Sequence, residues 1–307
     1  METQNVLRYN KRMDYMTVKP FIKWAGGKTQ LLTEIRTKYP AKIEKYCEPF
    51  LGGGAVLFDI LANFHPDEVL VNDINKELIN VYKQIKTNCD DLIKNLIELQ
   101  KDYWNKGNDE RKKIYLNKRK KFNDLKSSDE NRGNSEKAAL FIFLNKTCFN
   151  GLYRVNSKGL FNVPMGAYKR PPICDVENLR RCEKLLKKVK IICGDFSSTV
   201  DFIDSKTFVY LDPPYRPISP TSSFTAYSEF VFTDREQIKL GSFVDEITKK
   251  GAKIVLSNSD PKNTNKNDNF FDDLYKKYNI VRIEANRMIN SKASARDSIN
   301  ELLICNF

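Results

Sequence analysis

Thr207-Phe208-Val209-Tyr210-Leu211-Asp212-Pro213-Pro214-Tyr215 is a short apolar run that passes directly into an acid, two prolines and an aromatic. An uninterrupted apolar run of this length, bounded by turn residues, fits a strand buried on both faces, as in a parallel sheet. The carboxy ends of such strands are where open α/β sheets hold their ligands. Consecutive prolines fix φ and remove two backbone donors, so the residues after Leu211 form a rigid, extended turn that cannot continue the ladder. That turn offers an anionic acceptor, Asp212, at one end and a ring, Tyr215, at the other. An exocyclic amine on a planar base uses both, the acceptor for its N–H groups and the ring for stacking. A strand that merely ends in a proline-rich turn would look the same in isolation.

The turn has company upstream. Tyr46-Cys47-Glu48-Pro49-Phe50-Leu51-Gly52-Gly53-Gly54-Ala55-Val56-Leu57-Phe58 reads as a short strand, a glycine turn and the start of an apolar helix. Glycines permit close backbone approach to a ligand. About 20 residues on, Glu68-Val69-Leu70-Val71-Asn72-Asp73 reads as a second strand ending in an acid, the spacing at which a βαβ unit sets a carboxylate on ribose hydroxyls. No Gly-x-Gly-x-x-Gly is present, so a nucleoside cofactor without a pyrophosphate fits better than a dinucleotide. A third strand, Val189 to Cys193, ends in Gly194-Asp195-Phe196, an acid and a ring suited to an adenine. Each feature alone could be a glycine turn, a capping aspartate or a loop acid. Gly26-Gly27-Lys28-Thr29 imitates the end of a phosphate-binding P-loop, but Ile22 stands where that pattern requires glycine. Trp24, just before these glycines, suits a cationic sulfonium, which is attracted to aromatic faces.

The 307 residues can bury a substantial core and accommodate a catalytic domain plus an insertion. A net charge of +13 suits a polyanion, whether DNA, RNA or a membrane surface. No apolar run is long enough to span a bilayer and residues 1–17 lack the apolar core of a signal peptide, so a cytoplasmic protein with no membrane association is expected. Seven cysteines, with no Cys-x-x-Cys pair, and a single histidine, His65, argue against a disulfide framework or a metal site. Residues 1–17 read as a polar extension, in which Met13 or Met16 could be the true start. Residues 18–80 and 191–307 carry the strand-then-acid pattern, and residues 81–190 interrupt it. Within the interruption, residues 81–126 are helical in pattern and densely basic, a run more often a solvated face than a groove reader. Lys137 to Leu144 reads as an apolar helix. Asn145 to Pro172 interleaves asparagines, Arg154, Arg170 and lysines with Phe149, Tyr153, Phe161 and Tyr168. On residue types alone this fits an irregular polar hairpin as well as a base-reading one.

Taken in order, Lys19 to Lys28 (KPFIKWAGGK), Glu48 to Phe58 (EPFLGGGAVLF), Asn72 to Asn75 (NDIN), Asp195 and Asp212 to Tyr215 resemble the motifs of the Dam-type DNA adenine-N6 methyltransferases. The similarity extends to Asn150–Arg154, Phe161–Pro164, Phe224–Tyr227 and Asn286–Lys292, nearly the whole chain from residue 19. It implies a Rossmann-like S-adenosylmethionine-dependent sheet with an inserted, mainly helical target-recognition domain carrying a hairpin. The catalytic domain would then comprise residues 18–80 plus 191–307, and the recognition domain residues 81–190. The implied activity is methyl transfer from S-adenosylmethionine to N6 of a flipped adenine in double-stranded DNA, within GATC. The implied catalytic residues are Asp212, Pro213, Pro214 and Tyr215, the last acting through its ring rather than its hydroxyl. Trp24, Lys28, Phe50, Gly52, Asp73, Asp195, Phe196 and Asp212 would contact the cofactor. Lys23, Asn150, Arg154, Asn162, Pro164 and Tyr168 would face the bases. Phe149 stands where the Escherichia-type members often carry tyrosine, so a contact needing that hydroxyl is lost. A restriction endonuclease acting independently on the same sequence would be a natural companion. RNA and protein-glutamine methyltransferases use related turns on the same cofactor fold, and a non-catalytic DNA-binding regulator would also explain the charge.

Overall fold

In the computed structural model, residues 18–127, 134–216, 232–285 and 299–307 are described. The extension 1–17 and the segments 224–227 and 286–292 lie outside them. The centre is a seven-stranded sheet of β1 (Lys45–Glu48), β2 (Glu68–Asp73), β3 (Val189–Cys193), β4 (Thr207–Leu211), β5 (Lys253–Ser259), β6 (Asn279–Ala285) and β7 (Ile299–Cys305), in the order β3-β2-β1-β4-β5-β7-β6. The pairs from β3 through β5 are parallel, whereas β7 inserts antiparallel between β5 and β6. Strand order reverses between β1 and β4, and such a switch point opens a crevice at the carboxy ends of its two strands. The chain therefore leaves β1 after Glu48 and β4 after Leu211 on the same side of the sheet, next to one another.

Period-two alternation explains why β4 is apolar throughout. Phe208 and Tyr210 enter the core on one face and Val209 and Leu211 the core on the other, so every residue of the strand is buried. The second face is covered by Leu240, Phe243, Val244 and Ile247 of a helix at Asp234–Lys249 and by Phe271 and Tyr275. The first face is continuous with a helical assembly made largely of the chain between β2 and β3.

In chain order the helices are α1 (Leu32–Arg36), α2 (Ala55–Asn63), α3 (Lys76–Thr87), α4 (Cys89–Trp104), α5 (Asn108–Ser127), α6 (Ser135–Thr147), α7 (Val176–Leu186), α8 (Asp234–Lys249) and α9 (Phe270–Leu274). The Asn75 side chain starts α3 by accepting the Glu77 and Leu78 N–H groups, and Asn134 does the same for α6. Helix α6 is buried from Ala138 through Asn145, as expected of a helix that is apolar all round. In α5 only Tyr115 and Phe122 are buried, so that basic helix lies along the outside of the bundle.

Candidate active site and nucleic-acid interface

The turn after β4 is held from three directions. Lys28, only 4% exposed, places its Nζ 2.9 Å from Asp212 Oδ1, 2.7 Å from the Gly26 carbonyl and 4.6 Å from the centre of the Tyr215 ring. Ser257 on β5 donates to the same Oδ1 at 3.1 Å and is itself hydrogen-bonded to the Tyr210 hydroxyl at 3.0 Å. Gln237 of α8 donates to the Pro214 carbonyl at 3.1 Å. Burial pushes the Asp212 carboxyl up, against the opposing pull of the Lys28 ammonium and the Ser257 hydroxyl. The Tyr215 hydroxyl donates to Glu301 Oε2 at 2.6 Å, and burial raises Glu301 too, with Lys28 again opposing. A buried ammonium, two carboxylates and a ring thus share one pocket floor.

Asp73 closes β2 beside the glycine turn. Its Oδ2 accepts the Gly52 N–H and its Oδ1 the Asn75 N–H, both at 2.9 Å. Burial raises its carboxyl and these backbone donors pull it back. A carboxylate has about four acceptor positions, so each oxygen keeps capacity for a further donor. Gly52 has φ +49, and a Cβ there would lie 2.9 Å from Trp24 Cδ1, so the turn and the indole fit only because the side chain is missing. Trp24 itself stacks at 6.0 Å on Tyr153 and at 6.4 Å on Phe141. Across the crevice, Phe50 and Phe196 are neighbouring rings, 5.4 Å apart. Asp195 caps the turn after β3 through the Ser197 N–H and pairs with Lys239 at 3.0 Å. Partial burial would raise this carboxyl, but the Ser197 and Lys239 donors prevail and hold it below its ordinary value. The acceptor oxygens of Asp73 and Asp195 with the Phe50–Phe196 ring pair suit a nucleoside with ribose hydroxyls.

The stretch after α6 is a loose hairpin with two isolated antiparallel bridges, Cys148 with Met165 and Val155 with Phe161. Asn150 adopts φ 54 and is exposed. Arg154 Nε donates to Asn162 Oδ1 at 2.8 Å, which leaves both terminal guanidinium nitrogens for other acceptors. Pro164 is exposed, and Lys23 lies 4.4 Å over the Tyr168 ring. Lys23 belongs to the KPFIKWAGGK segment but is fixed here, because Asn145 accepts its N–H at 2.9 Å and donates to its carbonyl at 2.8 Å. The six candidate base-facing residues therefore fall on one hairpin and the loop joined to it.

Three residues that frame the Asp212–Tyr215 turn are not evident from the sequence motifs. Ser257 closes an apolar strand with the polar run Ser257-Asn258-Ser259-Asp260, a fifth strand-then-acid pattern that could have been recognised. Gln237 is one polar residue among many in an amphipathic helix. Glu301 is the third residue of its strand, after Asn300 and before the apolar run Leu302–Cys305, and only the β5–β7 pairing, which sets it opposite Ser259, brings it to Tyr215.

A mixed sheet with the switch point of its parallel half beside Asp-Pro-Pro-Tyr, a glycine turn and an acid on the next strand fits a transferase that uses a nucleoside cofactor. Residues 24–289 match the family model for D12 class N6 adenine-specific DNA methyltransferases, and the chain belongs to that family. Among curated relatives, the type II methyltransferase M.MjaIII of Methanocaldococcus jannaschii is 47% identical over 298 residues, covering 95% of this chain and all of that protein. The type II methyltransferase M1.LlaDCHI of Lactococcus lactis subsp. cremoris is 38% identical, covering 99% of each chain. A DNA adenine methylase of Vibrio cholerae is 34% identical, covering 93% of this chain and 95% of its own. The protein is an adenine-specific DNA methyltransferase.

Proposed function

We propose that the enzyme methylates adenine N6 in double-stranded DNA within GATC, after turning the base out of the helix into the pocket beside Asp212. The observation that carries this reading is the Asp212–Tyr215 turn, with an acceptor and a ring held rigidly at one crevice. S-adenosylmethionine would supply a methyl group on a positively charged sulfur. Asp73 is suited to accept from its ribose, the Phe50 and Phe196 rings with Asp195 to flank its adenine, and Trp24, Lys28 and Gly52 to border it. Within the duplex, the N6 lone pair is delocalised and its approach is blocked by stacked neighbours. Extrusion costs a few kcal/mol, and stacking on Tyr215 offsets part of that cost.

Lys28 and Ser257 both engage Asp212 Oδ1, which leaves Oδ2 as an acceptor for one N6 hydrogen, with the Pro213 carbonyl taking the other. Two acceptors localise electron density on the nitrogen, a contribution of positioning and electrostatics. As the nitrogen–methyl bond forms, the nitrogen sheds one proton. Asp212 is a suitable recipient because burial raises its carboxyl.

Residues 81–190 act in this reading as the target-recognition domain. Asn162 orients Arg154 so that its terminal nitrogens can pair with O6 and N7 of a guanine, the commonest specific major-groove contact. Asn150, Pro164, Tyr168 and Lys23 complete the base-facing set. A restriction endonuclease sharing the target sequence remains part of the same proposal. The test is methylation, at fixed salt, of duplexes carrying every single substitution in GATC. Arg154→Ala should lose discrimination at a guanine by ~1 to 3 kcal/mol, whereas Lys120→Ala should weaken binding to all sequences alike. Equal methylation of adenines outside GATC, or an Arg154→Ala profile that only scales down, would overturn the target assignment.

A further inference from the structure

Helix α5 looks like a cationic rod, yet one of its faces is wholly occupied. Arg111, Tyr115, Arg119, Asn123 and Lys126 recur at the three-to-four-residue spacing that puts side chains on one stripe of a helix, and each reaches the backbone of the hairpin. Arg111 Nη1 donates to the Lys169 carbonyl at 2.6 Å. Tyr115 and Arg119 both donate to the Val163 carbonyl, at 2.7 and 3.3 Å. Asn123 pairs with Phe161 in both directions, donating to its carbonyl at 3.1 Å and accepting its N–H at 2.8 Å. Lys126 donates to the Gly159 carbonyl at 2.6 Å.

A hairpin with two isolated bridges has few ladder bonds of its own, and its backbone groups must find partners elsewhere. The Asn123 amide supplies what a neighbouring strand would have given Phe161. At the Val163–Pro164 peptide there is no N–H to satisfy, since proline lacks one, and two donors from α5 take the one carbonyl. Asn162 therefore lies between Phe161 and Val163, whose carbonyls are both bonded to the helix, and its side chain in turn holds Arg154 at 2.8 Å. The chain of contacts runs from Tyr115, Arg119 and Asn123 through the backbone of residues 161 and 163 to the Arg154 guanidinium.

We infer that this stripe of α5 consists of positioning residues for sequence discrimination: it sets the register of Asn162, Pro164 and Arg154 toward the bases without touching DNA itself. The inference rests on the proposal that the hairpin reads DNA. It also divides the helix, because Arg111, Arg119 and Lys126 are committed to the hairpin, while Lys112, Lys113, Lys120 and Lys121 are exposed on the other side.

The test uses the full chain and the same panel of substituted duplexes, comparing wild type, Asn123→Ala, Tyr115→Phe and Arg154→Ala. Tyr115→Phe keeps the buried ring and deletes only the donor to Val163, so it carries the test even if Asn123→Ala fails to fold. Both helix variants should reduce the cognate-to-substituted ratio of kcat/KM about tenfold, at the base positions where Arg154→Ala loses discrimination. Their kcat on GATC at saturating cofactor and DNA should stay near wild type. A lowered melting temperature with wild-type ratios would overturn the inference, leaving the stripe a packing contact. If Arg154→Ala itself kept the wild-type profile, the hairpin would not be the reader, and that outcome is distinct from failure of the stripe alone.

Discussion

Replacing Tyr215 with phenylalanine preserves the ring and removes one hydroxyl, so a residue acting purely by stacking should tolerate it. The structure gives that hydroxyl a task. It donates to Glu301 Oε2 at 2.6 Å, and a hydrogen bond to a charged group contributes about 1.5–3 kcal/mol. Burial holds the folded-state pKa of Glu301 above its ordinary value, with Lys28 and the Tyr215 hydroxyl opposing the rise. Between the unfolded and folded values the folded protein keeps a proton that the unfolded chain has released, so wild-type stability falls as pH rises through this window. Deleting the phenol donor raises the folded value further, so Tyr215→Phe should lose still more across it. At pH 8 the variant should be less stable by about 1.5–3 kcal/mol. Near pH 4, below the ordinary glutamate value and with the raised folded-state carboxyl protonated, mainly a neutral hydrogen bond of about 0.5–1.5 kcal/mol is at stake. Urea unfolding of both proteins at the two pH values measures the difference. A destabilisation identical at pH 4 and pH 8 would refute the coupling to Glu301. Activity should still fall far more in Tyr215→Ala, which loses the ring and the hydroxyl together.

Asp212→Asn should abolish methyl transfer and, unlike a substitution that spares folding, should destabilise the protein by up to about 3–5 kcal/mol, because Lys28 loses the partner of a buried ion pair. Calorimetric or chemical unfolding checks this, and a variant of wild-type stability would show that Gly26 alone satisfies the ammonium. Asp73→Ala should weaken S-adenosylmethionine binding in titration calorimetry before it weakens DNA binding, since its oxygens also fix the Gly52 and Asn75 backbone. Unchanged cofactor affinity would move the ribose site elsewhere.

The sequence made the parallel half of the sheet legible because its strands are compact, mostly apolar runs ending in a polar turn. Val189–Cys193 and Thr207–Leu211 form β3 and β4 with those bounds. Glu301 was beyond reach for a different reason. It lies 86 positions from Tyr215, and nothing local to Ile299–Cys305 says that this strand slides antiparallel beside β5. The basic helix was legible as a charge run but not as a clamp. A stripe made of two arginines, a tyrosine, an asparagine and a lysine has no common chemistry until the hairpin carbonyls that unite it are in place. Lysine counts alone pointed to phosphates, whereas part of that charge is spent on peptide oxygens.

The loop from Lys19 to Lys28 shows why a motif without regular structure can be central. Its backbone polar groups have no helix or ladder to join, and a buried group left unpaired is costly. Two asparagine amides from the helical assembly meet this need. Asn178 pairs with the Lys19 N–H and carbonyl, and Asn145 with those of Lys23. Trp24 then wedges between the Gly52 turn and Tyr153, and Lys28 ends the segment against Asp212. One stretch of ten residues thus contacts the helices, the hairpin, the glycine turn and Asp212. Asn145 also donates to the Gly151 carbonyl at 2.8 Å, and a Cβ on Gly151, at φ +65, would lie 2.6 Å from that of Lys23. Hairpin and loop are therefore packed closely enough that neither shifts without the other, which ties the geometry of the hairpin to that of the Asp212–Tyr215 turn.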